Sequence, residues 1–361
     1  MGKNILLVVG VGFIFVAAII IFAFIFSEPG TAIKIGAIIP LTGDVSYMGQ
    51  SMKNGIDLAS KETGLKVVYE DSQGKKDVAV NAYNKLTQLD GVNYILGSQS
   101  GVILSYSSLA KEQKKIVFAI GTASPGLTKN NDYLFRNNLY TAEEAEFNAR
   151  QIYNLGYKNL VLLAHNQPGG VDYLKIISDN YGGKIEFQEI FYSALDFKTI
   201  LSKIKDSNAD SVFVYSYASE LAELLKESYG LGLNVRWFSF FAMEEKTIHN
   251  LPLNVKEGLV YSYPIDDKNP KYLEFQEKYF SVYGEYPDLF AALAYDNIFM
   301  LKQAMQGCEY ENTDCVKDNL LEIKEFEGVS GLTSIDSDGD SHKPIYLKTI
   351  KDGEFVMFEN Q

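Results

Sequence analysis

The residues best suited to chemistry in this sequence are hydroxyls and glycines in three short loops, each directly after an apolar run. The loops read PLTGDVSYMG after Ile39, GSQSGV after Leu96 and GTASPGLT after Ile120. None of the loops contains an obvious acid–base pair for catalysis. Their hydroxyls and free backbone amides, placed at a helix start, could instead bind a carboxylate or another small anion. Ser and Thr also cap helices routinely, but recurrence after three strands favours an anion-binding site. The candidate residues are Ser98, Ser100, Gly101, Thr122 and Ser124.

The first of these loops carries Gly43 and Gly49, and a glycine-bearing turn between a strand and a helix often binds phosphate. Its spacing fits neither the dinucleotide fingerprint nor a P-loop, and no Gly-Lys-Ser/Thr follows. We therefore expect one wall of a small-ligand cleft rather than a nucleotide site. Tyr47, Tyr215 and Tyr217 fall in or just after strand-end loops, where an aromatic ring can cover a ligand.

Catalytic and metal-binding sets are missing from the sequence. The nucleophile-elbow pattern G-x-S-x-G is absent, and His165, His249 and His342 are scattered without metal spacing. His165 follows a predicted strand, where a ligand could reach it, but an ordinary hydrogen-bonding role is more common there. The acidic stretch SIDSDGDSHK lacks the pattern of an EF-hand, and a tight turn fits it better. We expect no enzyme, no metal and no cofactor.

The composition sets broad limits on the class of protein. The 361 residues carry a formal net charge of -13, with 47% hydrophobic and 22% charged residues. This is the composition of a globular chain long enough for two domains. Because binding to nucleic acid or to anionic lipid needs a basic surface, the net charge argues against both partners.

The N-terminus carries an apolar segment from Ile5 to Phe26 without a charged residue, preceded by Lys3. About twenty helical residues span the roughly 30 Å hydrocarbon layer of a bilayer. A cleavable signal peptide has a shorter apolar core and an A-x-A-like site, which we do not find, although a long signal peptide stays the alternative. Residues 1–30 are predicted to be a single-pass anchor in the cell membrane or an uncleaved signal, with the binding domain outside the cytoplasm.

Cys308 and Cys315 are the only cysteines and lie close together in GCEYENTDCVKDNL. In a protein outside the cytoplasm, two thiols this close most simply form a disulfide that closes a small loop. Zinc would need more ligands than these two residues supply.

Apolar runs alternate with amphipathic stretches from Ile33 onward, which predicts parallel sheets covered by helices. After residue 263 two long helices follow instead, so two open α/β sheets fit better than one closed barrel. The closing segments IYLKTI and EFVMF predict a hairpin around Lys351-Asp352-Gly353. The predicted strands are Ile33 to Ile39, Lys66 to Glu70, Tyr94 to Leu96, Ile116 to Ile120, Leu160 to Ala164, Ile185 to Phe191, Ser211 to Tyr215, Val235 to Phe240 and Leu259 to Tyr263.

Four stretches are informative as a set. They are IKIGAIIPLTGDVSYMGQSMKNGIDLA, YILGSQSGVILSYSSLAKEQKKIVFAIGTASPGLT, FQEKYFSVYGEYPDLFAALAYDNIFMLKQAM and FEGVSGLTSIDSDGDSHKPIYLKTIKDGEFV. Together, and in this order, they resemble the substrate-binding proteins of branched-chain amino acid ABC transporters, which belong to the type 1 periplasmic binding group. The resemblance covers nearly everything from Ile33 to Phe358.

The resemblance implies an α/β fold of two lobes, each a mostly parallel sheet flanked by helices, with a ligand between them and closure on binding. Here the fold would be preceded by one N-terminal transmembrane helix. Lobe one would comprise residues 31–138 and 263–327, and lobe two residues 139–262 and 328–361. Three crossings between the lobes are expected near residues 138–140, 261–264 and 328–331.

The resemblance also carries over ligand-binding positions. The family's carboxylate-binding loop falls on Ser98 to Gly101, and its second anion-binding segment falls on Thr122, Ala123 and Ser124. Relatives often read Ser-Ala-Thr-Ser in this second segment, so the hydroxyl is displaced by one position in this chain. The bulky residue that covers the ligand in relatives matches Tyr47 or Met48.

Lobe two departs further from the family pattern. Relatives commonly have an aromatic residue just before a glycine in the loop after the fifth predicted strand, where this chain has Gly169. The acid that holds the ligand's ammonium group aligns near Phe241, with Glu244 and Glu245 shortly after it. Without an acid in reach, an α-ammonium would lose its hydration with little return. The expected ligand is a small polar solute: a branched-chain or related amino acid, an amide or a carboxylate.

Three functions are weighed on these grounds. The first is an extracytoplasmic substrate-binding protein that captures the solute and delivers it to an ABC permease in the membrane. The second is a membrane-tethered ligand sensor of the same fold that acts through a partner protein. The third, a hydrolase or transferase at the cell surface, is disfavoured by the missing catalytic set. We expect the first, with the sensor as the alternative.

Overall fold

The computed structural model describes residues 33–124, 126–166, 168–192, 197–241 and 243–359. Its first sheet consists of β1 (Lys34–Ile39), β2 (Lys66–Asp71), β3 (Tyr94–Ser98), β4 (Ile116–Ile120) and β5 (Leu134–Asn137). The strand order is β2-β1-β3-β4-β5, and every neighbouring pair is parallel. The interior strands β3 and β4 are buried along their whole length, as expected for strands covered on both faces.

The helices of this first lobe come from two separate parts of the chain. The early ones are α1 (Ser46–Thr63), α2 (Lys76–Gln88), α3 (Ser100–Leu104) and α4 (Ser107–Glu112), and the late ones follow residue 269. The late ones are α11 (Pro270–Tyr283), α12 (Leu289–Ala304) and α13 (Thr313–Leu321). Helix α12 packs closely on α1. The contact leaves no room for a side chain at Gly55, where an added Cβ would lie 2.1 Å from the carbonyl oxygen of Ala291. The late helices therefore return to the first sheet.

The second sheet has the order β15-β14-β10-β9-β8-β6-β7. Its parallel part comprises β6 (Asn159–His165), β7 (Lys184–Phe191), β8 (Ser211–Tyr215), β9 (Arg236–Ser239) and β10 (Val260–Tyr263). The strands β14 (Tyr346–Lys351) and β15 (Glu354–Met357) join it in antiparallel pairing. The flanking helices are α5 (Thr141–Asn154), α6 (Pro168–Asn180), α7 (Lys198–Asp206), α8 (Ala218–Gly230), α9 (Lys246–His249) and α10 (Leu253–Lys256).

The hairpin predicted at the end of the chain is confirmed. Strands β14 and β15 pair with Lys351 opposite Glu354, and both residues between them have positive φ, 54° at Asp352 and 88° at Gly353. Two successive left-handed residues form the kind of two-residue turn that matches the twist of a hairpin. An aspartate and a glycine adopt this conformation more readily than other residues.

A small antiparallel sheet lies between α13 and β14 in the chain. It consists of β11 (Phe326–Gly328), β12 (Gly331–Ile335) and β13 (Ser341–His342). Between β12 and β13, the backbone N–H groups of Asp338 and Asp340 both donate to the Asp336 carboxylate at 2.9 Å. The acidic stretch is thus a tight turn stabilised by an aspartate side chain.

The prediction of a two-lobed α/β fold is confirmed by the two sheets and their flanking helices. The sequence interpretation lacked β5 and the small sheet. Strand β5 has four residues, and its last two, Arg136 and Asn137, are buried polar side chains. Such a segment has no run of apolar residues to identify it as a strand.

The sequence also predicted an N-terminal membrane anchor and a disulfide. The apolar segment predicted as a membrane anchor, Ile5 to Phe26, lies outside the described residues. Among the residues that the structure does describe, none of the helices combines the length and hydropathy needed to cross a bilayer. Cys308 and Cys315 form a disulfide that connects the end of α12 to α13.

Candidate functional site

A cavity of about 410 Å³ lies between the carboxyl ends of the two sheets. It is lined from the first lobe by residues after β1, β2, β3 and β4, and from the second lobe by residues after β6, β8 and β9. Open α/β sheets bind ligands at this end of their strands. Of the residues predicted from sequence, the structure brings together Tyr47, Met48, Ser100, Gly101, Thr122, Ala123 and Ser124, with Tyr217 and Phe241 opposite.

Hydroxyl groups line the first-lobe side of the cavity. The Ser124 N–H donates to Ser100 Oγ at 3.3 Å, which joins two of the predicted loops. Thr122 is 2% exposed, and its Oγ1 has no hydrogen-bond partner among the described residues. A buried hydroxyl without a partner is unfavourable, and a ligand oxygen would satisfy it. Ser98 differs, because it is buried within β3 and is not part of the cavity lining.

Backbone amides add to this polar wall. The Ala123 carbonyl oxygen accepts a hydrogen bond from Thr141 Oγ1 at 2.8 Å, on the side away from Ser100. Because the trans peptide directs C=O and N–H to opposite sides, the Ser124 N–H faces Ser100 and the cavity. Gly121 begins the loop with a φ of 59°, and a Cβ there would lie 2.7 Å from the Phe290 ring. Glycine is therefore required at this position.

Aromatic rings form the opposite wall. Tyr215 and Phe240 stack with their centroids 4.2 Å apart, and Phe241 meets Phe240 edge-on at 5.1 Å. All three side chains are buried, as is Phe290 from the first lobe. These rings give an apolar compartment next to the hydroxyl wall, a combination that fixes a small ligand by its polar end.

Tyr215 fills part of the space near Gly169, the position where relatives have an aromatic residue. A Cβ added at Gly169 would lie 2.9 Å from the Tyr215 hydroxyl and 3.5 Å from the Ala123 carbonyl oxygen. A larger side chain at 169 would therefore collide with Tyr215. The aromatic surface of this cavity comes from β8 and β9 rather than from the loop after β6.

Glu245 supplies the carboxylate of this cavity. Burial and the nearby Asp288 raise its pKa to about 8, and a hydrogen bond from the Tyr47 hydroxyl offsets part of the rise. No basic side chain is paired with Glu245 among the described residues. The carboxyl is thus largely protonated at neutral pH until a cation approaches it.

Glu244, which was predicted as a ligand-binding residue, points elsewhere. It lies 2.6 Å from Lys348 Nζ and accepts a hydrogen bond from the Tyr261 hydroxyl at 2.7 Å. It lines a neighbouring cavity of about 770 Å³, which Tyr47 and Glu245 also border. Phe241 contributes its ring, while its backbone N–H donates to the buried carboxylate of Glu144 at 3.2 Å. Burial raises the pKa of Glu144 to about 7.

Several lining residues were not singled out as ligand-binding from the sequence. Lys76, the first residue of α2, places its side chain beside Gly101 at the carboxyl end of β2, a position that the strand-end rule could have identified.

His165 hydrogen-bonds to Glu220 at 2.7 Å, an ordinary structural role. Within the described part of the chain, no group of three or more His, Cys, Asp or Glu residues is arranged to hold a metal ion.

A cleft between two α/β lobes, with a polar wall and an aromatic wall, is the kind of site that a solute-binding protein has. The sequence profile of the periplasmic binding proteins matches residues 32–354, and the chain belongs to this family. This confirms the family resemblance and the expectation of a binding protein rather than an enzyme.

Relatives and solved structures agree with this assignment. The Leu/Ile/Val-binding protein homolog 2 of Brucella abortus is 22% identical over 348 residues, covering 91% of this chain and 93% of that protein. The Leu/Ile/Val-binding protein BraC3 of Rhizobium johnstonii is 28% identical over 224 residues, or 56% of this chain and 59% of that one.

Two solved structures share the fold. The branched-chain amino acid transporter substrate-binding protein LivJ of Streptococcus pneumoniae, in complex with isoleucine, has a TM-score of 0.84 at 24% identity. The alignment covers 90% of this chain and 98% of LivJ. A solute-binding protein of an ABC transporter from R. palustris, in complex with benzoate, has a TM-score of 0.81 at 16% identity, covering 90% and 95%.

The hydrogen bond between Tyr47 and Glu245 makes a titration prediction. Tyr47→Phe removes a donor that favours the charged carboxylate, so the pKa of Glu245 should rise further above about 8. Carbon-13 NMR of the glutamate carboxyl groups measures this. Tyr217→Phe is the matched control, because its ring lines the same cavity, and it should leave the pKa unchanged. A wild-type pKa near that of an ordinary glutamate would refute the buried setting of Glu245.

Proposed function

We propose that this protein is the extracytoplasmic substrate-binding component of an ABC transporter and binds a small amino acid or a related carboxylate. The observation that carries the proposal is the pairing of a hydroxyl and amide wall with an aromatic compartment, and with one carboxyl across the cleft. The names of the relatives, Leu/Ile/Val-binding proteins, support the choice of ligand class. Delivery of the solute to a permease in the membrane completes this role.

In this proposal the ligand's carboxylate binds at the first-lobe wall. Ser100 Oγ and Thr122 Oγ1 are available there as donors, and the Ser124 N–H supports Ser100 by donating to its Oγ. The apolar part of the ligand lies against Tyr215 and Phe240, where burial of apolar surface is favourable. An ammonium group would meet Glu245, and its positive charge would favour the ionised carboxyl.

The proposed lobes are residues 31–138 with 263–327, and residues 139–262 with 328–361. The two sheets support this division, because β1 to β5 form one sheet, and β6 to β10 form the other together with β14 and β15. We extend the third crossing from residues 328–331 to residues 328–345, the whole stretch from the end of β11 to the start of β14. At its start, Val329 and Ser330 donate backbone hydrogen bonds to Asp296 on α12. Ligand would favour the closed arrangement by its higher affinity for that state.

Binding and its pH dependence test the proposed function, with L-leucine and benzoate as probes and calorimetry as the measurement. Leucine needs ionised Glu245, so its affinity should rise from pH 6 to pH 8, by up to about tenfold per pH unit. Benzoate favours the neutral carboxyl, so its affinity should fall as pH rises through about 8. Glu245→Gln should remove both slopes. No binding of either probe would refute the ligand class.

The hydroxyl wall can be tested separately. Ser100→Ala combined with Thr122→Ala should weaken binding of the carboxylate probe by roughly 1–3 kcal/mol, because two buried donors are lost. Ser98→Ala is the matched control, since Ser98 comes two residues before Ser100 and its buried hydroxyl does not line the cavity. Equal affinity of the double variant and the wild type would exclude both hydroxyls from the site.

We propose also that residues 1–30 tether the binding domain to the cell membrane. The uncharged segment from Ile5 to Phe26 supports this, because its length matches the hydrocarbon layer. After alkaline carbonate washing, the full chain should stay with the membrane fraction, and a chain that starts at Thr31 should be released. Release of both, with a mature N-terminus beyond residue 26, would identify a cleaved signal peptide instead.

A further inference from the structure

The carbonyl oxygens of the loop 122–124 are held from behind by side chains at the first crossing. The Thr122 oxygen accepts from Asn138 Nδ2 at 3.0 Å and lies 3.4 Å from Arg136 Nη1. The Ser124 oxygen accepts from the same Arg136 nitrogen at 2.8 Å. Because a trans peptide directs its N–H away from its carbonyl, the bonds to the Thr122 oxygen fix the direction of the Ala123 N–H. The Ser124 oxygen precedes Pro125, which has no N–H, so its bond to Arg136 fixes the position of the loop backbone instead.

Arg136 is buried to a degree that is uncommon for an arginine. It is 1% exposed, and its Nε lies 2.6 Å from Asp340 Oδ1, whose side chain is 5% exposed. Burying such a pair removes two charges from water, and well-packed apolar residues often give equal stability. Stability alone is therefore a weak explanation for the pair. Its geometry is more specific, because one guanidinium reaches both the ligand loop and Asp340.

Asp340 belongs to the third crossing, which runs beside the first. The Arg136 N–H donates to the Gly339 oxygen at 2.9 Å. Ser341 Oγ accepts from the Asn138 N–H at 2.9 Å and donates to the Asn138 oxygen at 2.6 Å. Residues 339–341 thus each contact either Arg136 on β5 or Asn138 at the first crossing. A hinge motion that shifts one crossing must shift its partner or break these bonds.

Residues 339–342 do not line the cavity in the part of the chain that the structure describes. Two residues connect them directly to the loop 122–124, namely Arg136 through Asp340 and Asn138 through Ser341, and of these Arg136 carries the charged link. Its Nη2 is buried and has no hydrogen-bond partner among the described residues.

We propose that Arg136 is a positioning residue that couples the third crossing, through Asp340, to the loop 122–124. Its guanidinium holds the Thr122 and Ser124 oxygens and so fixes the loop backbone beside a bound anion when the crossings take the closed arrangement. Binding of an anion at the loop in turn stabilises that arrangement of residues 339–342, since coupling between two sites is reciprocal. This inference rests on the proposed function, because it needs an anionic group at the loop.

Hydrogen exchange of the binding protein tests the coupling, with L-leucine and benzoate as the probes. In the wild type, a saturating probe should slow amide exchange both at residues 98–101, beside the cavity, and at residues 339–342, which lie outside it. In Arg136→Lys the affinity should fall roughly tenfold or more, because a lysine cannot hold both partners in one plane. At saturating probe, slowing should persist at 98–101 and be lost at 339–342.

Asp340→Asn is the second variant, since it keeps the size of the side chain while removing the charge, and it should also lose the response at 339–342. The controls are Arg150→Lys and Asp338→Asn, which change exposed residues of the same types near the same crossings. A response at 339–342 that survives in both variants overturns the coupling, as does its absence in the wild type when the probe binds. If neither probe changes exchange anywhere in the wild type, the proposed function fails and this inference falls with it.

Discussion

A trans peptide cannot direct its N–H and its C=O to the same side, and this constraint organises the centre of the molecule. Backbone amides that face the cavity leave carbonyl oxygens facing inward, where each needs a donor. The donors for the loop 122–124 are Asn138, Thr141 and Arg136, all at or beside the first crossing. The polar wall of the cleft is therefore held in place by side chains from residues 136–141.

Much of the fold could be predicted because its determinants are local. Buried parallel strands such as β3 and β4 are short apolar runs, and the glycines and hydroxyls after them identify the carboxyl ends where ligands bind. Strand β5 could not be identified in this way, since its polar residues are buried by contacts with Asp340 and Asn297, more than 150 positions away in the chain. No local pattern encodes such a partner.

The candidate site shows the same division between local and distant determinants. The hydroxyl loops and the tyrosines after β1 and β8 follow from their positions at strand ends. The choice between Glu244 and Glu245 does not, because neighbouring residues differ only in the direction of their side chains. Glu244 is drawn to Lys348 on β14, which reaches the sheet from the far end of the chain. The space at Gly169 is likewise decided by Tyr215 from another strand.

The interleaving of the chain between the two lobes has a consequence for the order of synthesis. Helix α12, which covers α1, is made more than two hundred residues after it, and β14 and β15 join the second sheet as the last strands of the described chain. Neither lobe has its full complement of neighbours until nearly the whole chain has left the ribosome. Through most of its synthesis the chain therefore lacks the partners that cover α1 and complete the second sheet.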